Sequence, residues 1–218
     1  MRYLCNVEWI NDLANQYAER FTDAEDPLLA ELDAHTRTYH PEPHMLSGRL
    51  QGRLLAMLSR LLKPRYILEI GTLTGYSALC LAEGLTEDGE LHTLEIRERD
   101  ADIARNFIRR SRFAQQITVH TGSAPELLES LHLPWDMVFI DADKVNYITY
   151  LNAVIGDVKP GGLILADNVL FHGQVLEQDI RGKNAKAVHA FNEWVKQDDR
   201  IESCLLTVRD GLMMIRKK

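Results

Sequence analysis

Residues 66–77 read Tyr66-Ile67-Leu68-Glu69-Ile70-Gly71-Thr72-Leu73-Thr74-Gly75-Tyr76-Ser77. An apolar run ends in a glycine-bearing turn, and the turn opens into a helical pattern. The glycines permit a tight turn and a close backbone approach to a ligand. The same alternation continues downstream. Short apolar runs at 66–70, 91–95, 117–121, 137–140 and 163–166 are separated by helical stretches. Apolar strands alternating with helices predict an α/β fold with a parallel sheet covered on both faces. The chain ends differently. Residues 201–208 and 212–215 flank Arg209-Asp210-Gly211, and Asp-Gly between strand-like runs signals a tight hairpin. An antiparallel strand is therefore expected at the sheet's edge.

Upstream of residue 63 the pattern is helical. Trp9, Ile10, Leu13, Ala14 and Tyr17 recur at helical spacing. Pro27 suits the first turn of a second helix carrying Leu28, Leu29 and Leu32. Pro41 and Pro43 break the chain. Ser47 is placed to cap a third helix with Leu50, Leu54, Leu55, Leu58 and Leu62 on its buried side. The expected organisation is one domain over 1–218, with a helical N-terminal cover (1–62) on an α/β core (63–218).

The 218 residues suffice for a single core. Apolar and charged contents of 45% and 26% are those of a globular protein. No run approaches the ~20 apolar residues of a membrane span, and the charged N-terminus lacks a signal-peptide core. A cytoplasmic location is expected. Cys5, Cys80 and Cys204 are odd in number and far apart, so reduced thiols are expected rather than disulfides or a zinc site. A net charge of −7 argues against nucleic acid as a partner.

In open parallel sheets, ligands sit beyond the carboxyl ends of the strands. Glu69, Glu95, Asp141, Asp167 and Asn168 stand at those ends. Glu95 follows Gly75 by twenty residues, the place of a carboxylate that accepts ribose hydroxyls. A dinucleotide would require G-x-G-x-x-G, so that its pyrophosphate rests on backbone amides. Here Leu73 stands between the glycines, and Glu69 would oppose a phosphate. S-adenosylmethionine (SAM) carries a sulfonium, an amino group and a ribose but no phosphate. Charge matching favours it.

The fourth and fifth apolar runs end in Asp141-Ala142-Asp143-Lys144 and Asp167-Asn168. Two carboxylates and an amide oxygen at one rim form a hard, all-oxygen set suited to Mg²⁺, Mn²⁺ or Ca²⁺. A phenol, with a pKa of about 10, is a poor nucleophile at neutral pH, and a bound cation stabilises its oxyanion. Lys144 is placed to take the departing proton. Taken singly, Asp141 also reads as a helix cap, Lys144 as a solvated lysine, and Asp143 as solvated or paired with a lysine.

These motifs resemble those of the metal-dependent O-methyltransferases of the catechol and caffeoyl-CoA type (SAM methyltransferase family 3). The resemblance covers nearly the whole chain. It is carried by Met45-Leu46-Ser47-Gly48, Glu69-Ile70-Gly71-Thr72 with Thr74-Gly75-Tyr76-Ser77, and Phe139-Ile140-Asp141-Ala142-Asp143-Lys144 with Asn146-Tyr147. Lys159-Pro160-Gly161-Gly162, Asp167-Asn168-Val169-Leu170 and Arg209-Asp210-Gly211-Leu212 extend it. It implies a Rossmann-like methyltransferase sandwich, with a seven-stranded, mostly parallel sheet whose last strand is antiparallel. It implies a metal on Asp141, Asp167 and Asn168, and catalysis by Lys144 with Asp141. It implies SAM against Met45, Ser47, Glu69, Gly71, Thr72, Ser77, Glu95, Ala124 and Asp141. The acceptor would be a hydroxylated aromatic small molecule, and the assembly a homodimer formed partly by the N-terminal third.

Asp143 stands where the animal catechol enzymes carry an aromatic residue, and no tryptophan accompanies Pro41 and Pro43, so the bacterial branch is the nearer likeness. His35, His40 and His44 read as solvated or capping, with ligand contact the alternative. His172 and Gly173 would border the substrate mouth. A tRNA hydroxyuridine methyltransferase is the second reading, for which Arg109, Arg110 and Arg112 form a candidate basic cluster. A non-catalytic SAM-binding protein and a nicotinamide-dependent oxidoreductase are further alternatives.

Overall fold

A computed structural model describes residues 12–218. Trp9, Ile10 and Cys5 lie outside the described residues. Three helices come first: α1 (Asp12–Arg20), α2 (Pro27–Tyr39) and α3 (Gly48–Leu62). Strands and helices then alternate as β1 (Tyr66–Ile70), α4 (Tyr76–Ala82), β2 (Glu90–Glu95), α5 (Glu98–Arg110), β3 (Ile117–Thr121) and α6 (Ala124–Leu128). They continue as β4 (Trp135–Ile140), α7 (Tyr147–Val154), β5 (Val158–Asp167), α8 (Lys183–Gln197), β6 (Ile201–Leu206) and β7 (Leu212–Lys217).

The seven strands form one sheet in the order β3-β2-β1-β4-β5-β7-β6. β1 to β5 pair in parallel, and β7 is antiparallel to both β5 and β6. This is the Rossmann-like methyltransferase fold. The antiparallel strand is β7, as expected, but it lies one position in from the edge, which β6 occupies. The connection spans residues 207–211, so β7 re-enters beside β5 and β6 closes the sheet from outside. β5 begins five residues earlier than the apolar run at 163–166. It runs through Pro160 and Gly161-Gly162, whose composition masks a strand end.

Two apolar layers sandwich the sheet. One joins α7 and α8 to β4, β5 and β7 through Tyr147, Leu151, Val188 and Phe191. The other joins α2, α3, α4 and α5 to the opposite face through Leu32, Leu55, Leu79 and Phe107.

Asp26 caps α2 by accepting from the Leu28 and Leu29 amides, with Pro27 in the first turn. Ser47 makes no such cap. Gly48 turns the chain through φ +74°, and the Ser47 carbonyl is engaged elsewhere. α3 also buries a different stripe from the one its leucines suggest. Gly48, Gln51, Gly52, Leu55, Ala56 and Ser59 face inward, and Leu50, Leu54, Leu58 and Leu62 flank them. The reason is close packing on α4: a Cβ on Gly52 would lie 2.7 Å from the Tyr76 ring. On α1, Leu13 and Tyr17 form a helix but stand exposed, with Phe21 beside them. Cys80 is buried and Cys204 exposed, both as free thiols.

Candidate active site

The parallel register sets the site. Ile140 on β4 pairs with Ala166 on β5, so Asp141 and Asp167 leave the sheet side by side. Gly71 leaves β1 next to them. Its φ is +103°, and a Cβ there would come within 2.0 Å of the Asp141 carbonyl oxygen. Only glycine fits between the two strand exits. The Gly71 amide donates to the Leu94 carbonyl at 3.0 Å and the Asp141 amide to the Ile70 carbonyl at 2.9 Å, which locks three strand ends together.

Glu69 is fully buried beneath the turn. Its Oε2 accepts from the Thr93 hydroxyl at 2.5 Å, and Ser77 also donates to it. Oε1 has no partner. Burial pushes the carboxyl up to about 8, against the pull of Ser77 and Thr93, and the charges of Asp141 and Glu95 act in the same direction as burial. The Thr72 hydroxyl meets Thr93 at 2.5 Å and extends the chain of hydroxyls. Glu95 ends β2, its Oε2 accepting from the Leu73 amide at 2.7 Å and its Oε1 from the Arg97 amide at 3.0 Å. The Leu73 amide is thus committed to a carboxylate rather than open to a pyrophosphate, and Leu73 itself holds a left-handed φ of +50°. Such strain clusters at functional turns. Ala124 opens α6 after β3.

Met45 is half exposed at the end of a short 3-10 turn, Pro43–Met45, and Ser47 is buried. They belong to a strap, residues 40–47, pinned at both ends. At one end His40 Nε2 lies 3.1 Å from Asp100 Oδ1, and Arg97 donates to Glu42 at 2.9 Å. At the other, the Arg209 guanidinium donates to the Leu46 carbonyl at 3.3 Å and to the Ser47 carbonyl. Thr36 of α2 meets the Thr74 hydroxyl at 2.8 Å and holds the cover on the glycine turn. His40 therefore serves as a structural tie. His44 is exposed, and His35 packs against Phe107 and Tyr39.

Asp167 is buried. Its Oδ1 accepts from the Asn168 amide at 2.8 Å and its Oδ2 from Gln51 Nε2 at 2.7 Å. Burial raises its carboxyl well above the ordinary range, as does the adjacent Asp141 charge; Gln51, Lys144 and Arg209 oppose this. Asn168 takes φ +57°, tolerable for asparagine, and its side-chain amide makes no hydrogen bond among the described residues. Lys144 Nζ lies 3.1 Å from Asp141 Oδ1 and 2.5 Å from the Tyr147 hydroxyl. The structure thus brings Asp141, Lys144 and Asp167 to one rim, with Asn168 next to Asp167.

No cluster of three or more His, Cys, Asp or Glu side chains suited to a metal occurs among the described residues. The rim instead offers two carboxylates and an amide. A buried carboxylate raised by a neighbouring carboxylate gains from a hard cation, and an oxygen-only donor set fits Mg²⁺, Mn²⁺ or Ca²⁺.

Asp143 is solvent-exposed, as expected, and pairs with no lysine among the described residues. Tyr150 donates to one of its oxygens and Asn146 donates to the other at 2.6 Å. The roles of Tyr147, Gln51, Thr93 and Arg209 were not read from sequence. Tyr147 and Arg209 stand in quoted motifs, whereas Gln51 carries no signal beyond a buried position on α3. Among the candidate basic residues, Arg110 pairs with Glu31, and Arg112 lies over the Phe113 ring. Two surface hollows, of about 270 and 420 Å³, contain none of these site residues.

The chain matches the O-methyltransferase family over residues 18–218. It is 36% identical over 160 residues to a catechol O-methyltransferase of Niastella koreensis, covering 72% of each chain. It is 34% identical over 194 residues to caffeoyl-CoA O-methyltransferase 2 of Eucalyptus globulus, covering 82% of this chain and 77% of that one. The SAH-bound Podospora anserina methyltransferase PaMTH1 superposes with a TM-score of 0.89 at 30% identity, over 100% of this chain and 99% of the other. The family match and the strand-end geometry lead to one assignment: this chain belongs to the O-methyltransferase family.

Proposed function

We propose that the protein transfers the methyl group of SAM to a hydroxyl of a catechol-like or caffeoyl-like small molecule, with a divalent cation at Asp141, Asp167 and Asn168. The observation that carries this reading is that Asp141 and Asp167 directly follow the registered pair Ile140 and Ala166 on adjacent strands, beside the Gly71 turn. The SAH-bound relative and the names of the catechol and caffeoyl-CoA relatives support it.

SAM supplies an electrophilic methyl group, and the cation stabilises negative charge on the acceptor oxygen. The remaining work falls to the chain's own groups. Glu95, fixed by the Leu73 and Arg97 amides, receives the ribose hydroxyls. Met45, Ser47, Gly71, Thr72, Ser77 and Ala124 shape the cofactor's bed, and Glu69 beneath it faces the cationic end. Lys144, held by Asp141 and Tyr147, receives the acceptor's hydroxyl proton at Nζ when it is in its neutral amine form. Holding donor and acceptor in contact contributes on the order of 7–11 kcal/mol to lowering the barrier. The exposed Leu13, Tyr17 and Phe21 near α1, with Met57 and Leu61 on α3, support a homodimer built on the helical cover.

The test is a methyl-transfer screen with labelled SAM over vicinal diphenols, flavonoids, caffeoyl thioesters and bulk tRNA. Transfer to the diphenols or thioesters is expected. Transfer to tRNA alone would replace the small-molecule reading.

A further inference from the structure

Gln51 sits between two groups that fix its orientation. Its Oε1 accepts from Arg209 at 2.6 Å, and its Nε2 donates to Asp167 Oδ2 at 2.7 Å. A guanidinium only donates and a carboxylate only accepts, so the reversed amide would face donor to donor and acceptor to acceptor. Glutamate would set a charge against Asp167, and methionine would bridge nothing. The same guanidinium holds the Leu46 and Ser47 carbonyls. Arg209 does this from a left-handed backbone, φ +49°, a conformation that persists only where surrounding contacts hold it.

The strap at 40–47 therefore starts beside Glu95, through Arg97 and Glu42, and ends on Asp167, through Arg209 and Gln51. It runs from the exit of β2 to the exit of β5, across the strand ends where the cofactor and the cation are expected. We propose that Gln51 and Arg209 are positioning residues that tie this strap to Asp167, so that cation and cofactor bind with linked affinities. The inference rests on the function proposed above. A shift of Asp167 and a shift of Leu46 and Ser47 become one motion, and any such coupling acts equally in both directions.

The experiment measures SAH binding to the full chain by calorimetry, in Mg²⁺ and in EDTA, and Mn²⁺ binding by electron paramagnetic resonance, with and without SAH. In the native protein each ligand is expected to tighten the other by the same factor, about 5-fold or more. In Gln51→Met and in Arg209→Lys, each checked for folding by its Tm, SAH still binds and the factor falls towards one. Lysine presents a single point charge and lacks the planar fork by which the guanidinium spans all three acceptors. Independent binding of the two ligands to the native protein overturns the proposal without help from any variant. An undiminished factor in both variants also overturns it. Failure of the native protein to bind SAH removes the function proposed above and this inference with it; binding of both ligands without linkage removes the inference alone.

Discussion

The Tyr147 hydroxyl accepts a hydrogen bond from Lys144 Nζ at 2.5 Å, and its own proton goes to the Asp167 carbonyl at 3.0 Å or the Ile140 carbonyl at 3.3 Å. With its single proton so placed, the hydroxyl can only accept from the lysine. The ammonium also lies 4.7 Å from the centre of the Tyr147 ring. One buried side chain thus fixes Lys144 and braces the exits of β4 and β5. Tyr147→Phe is expected to lower kcat about 10-fold, corresponding to a lost hydrogen bond to a charged group, with KM for SAM unchanged. Steady-state kinetics on a catechol acceptor check this; a rise in KM for SAM at constant kcat contradicts it.

Lys144→Ala is expected to lower kcat by roughly 10²–10⁴-fold, the usual loss for a general base. The pH–rate profile should lose the limb that belongs to this amine. An unaltered profile removes Lys144 from the proton transfer.

Chelation with EDTA is expected to abolish turnover while SAH still binds, more weakly than in Mg²⁺. Asp167→Ala should destroy Mn²⁺ binding and leave SAH binding measurable by calorimetry. Full activity in metal-free buffer would refute the assignment of Asp141, Asp167 and Asn168.

Glu69 titrates at about 8 in the ligand-free fold, up from 4.5. The folded protein then keeps a proton that the unfolded chain releases, so the associated stability is complete below about 4.5 and is lost as pH rises towards 8. Ligand-free native protein should therefore lose stability relative to Glu69→Gln between pH 5 and 8. Urea unfolding at several pH values measures the difference. A constant gap would show that Glu69 is ionised in the fold.

Gly71→Ala forces a methyl group into the Asp141 carbonyl from a left-handed backbone. A loss of about 3 kcal/mol or more is expected, from overpacking and strain together. Thermal unfolding and SAH titration should fail together. A variant with native Tm would mean that the two strand exits can separate.

The sheet and the acidic rim were legible because both depend on local pattern. A buried parallel strand reads as an apolar run, and its polar terminator marks the ligand end of the sheet. Glu69, Glu95, Asp141 and Asp167 all announce themselves this way. The side chains that orient them do not. Gln51 and Arg209 are joined across most of the chain, and nothing in either local sequence encodes the other. α3 misleads for a related reason: its leucines dominate the periodicity, but contact with α4 selects Gly52 and Ser59 for the buried stripe. The position of β7 inside the sheet depends on which side the returning hairpin takes, and Asp210-Gly211 specifies a turn without specifying a side.

The reversed direction of β7 has a consequence for how the protein matures. Because Leu212 pairs with Asp167, the turn that carries Arg209 and Asp210 arrives at the ligand rim from a stretch of chain made after all of the acidic ligands. A nascent polypeptide holds every acidic ligand well before it holds the clamp that orders them. Competence for chemistry is thereby deferred until residue 209 has been made, and a chain cut short before it holds the acidic rim without the clamp that organises it.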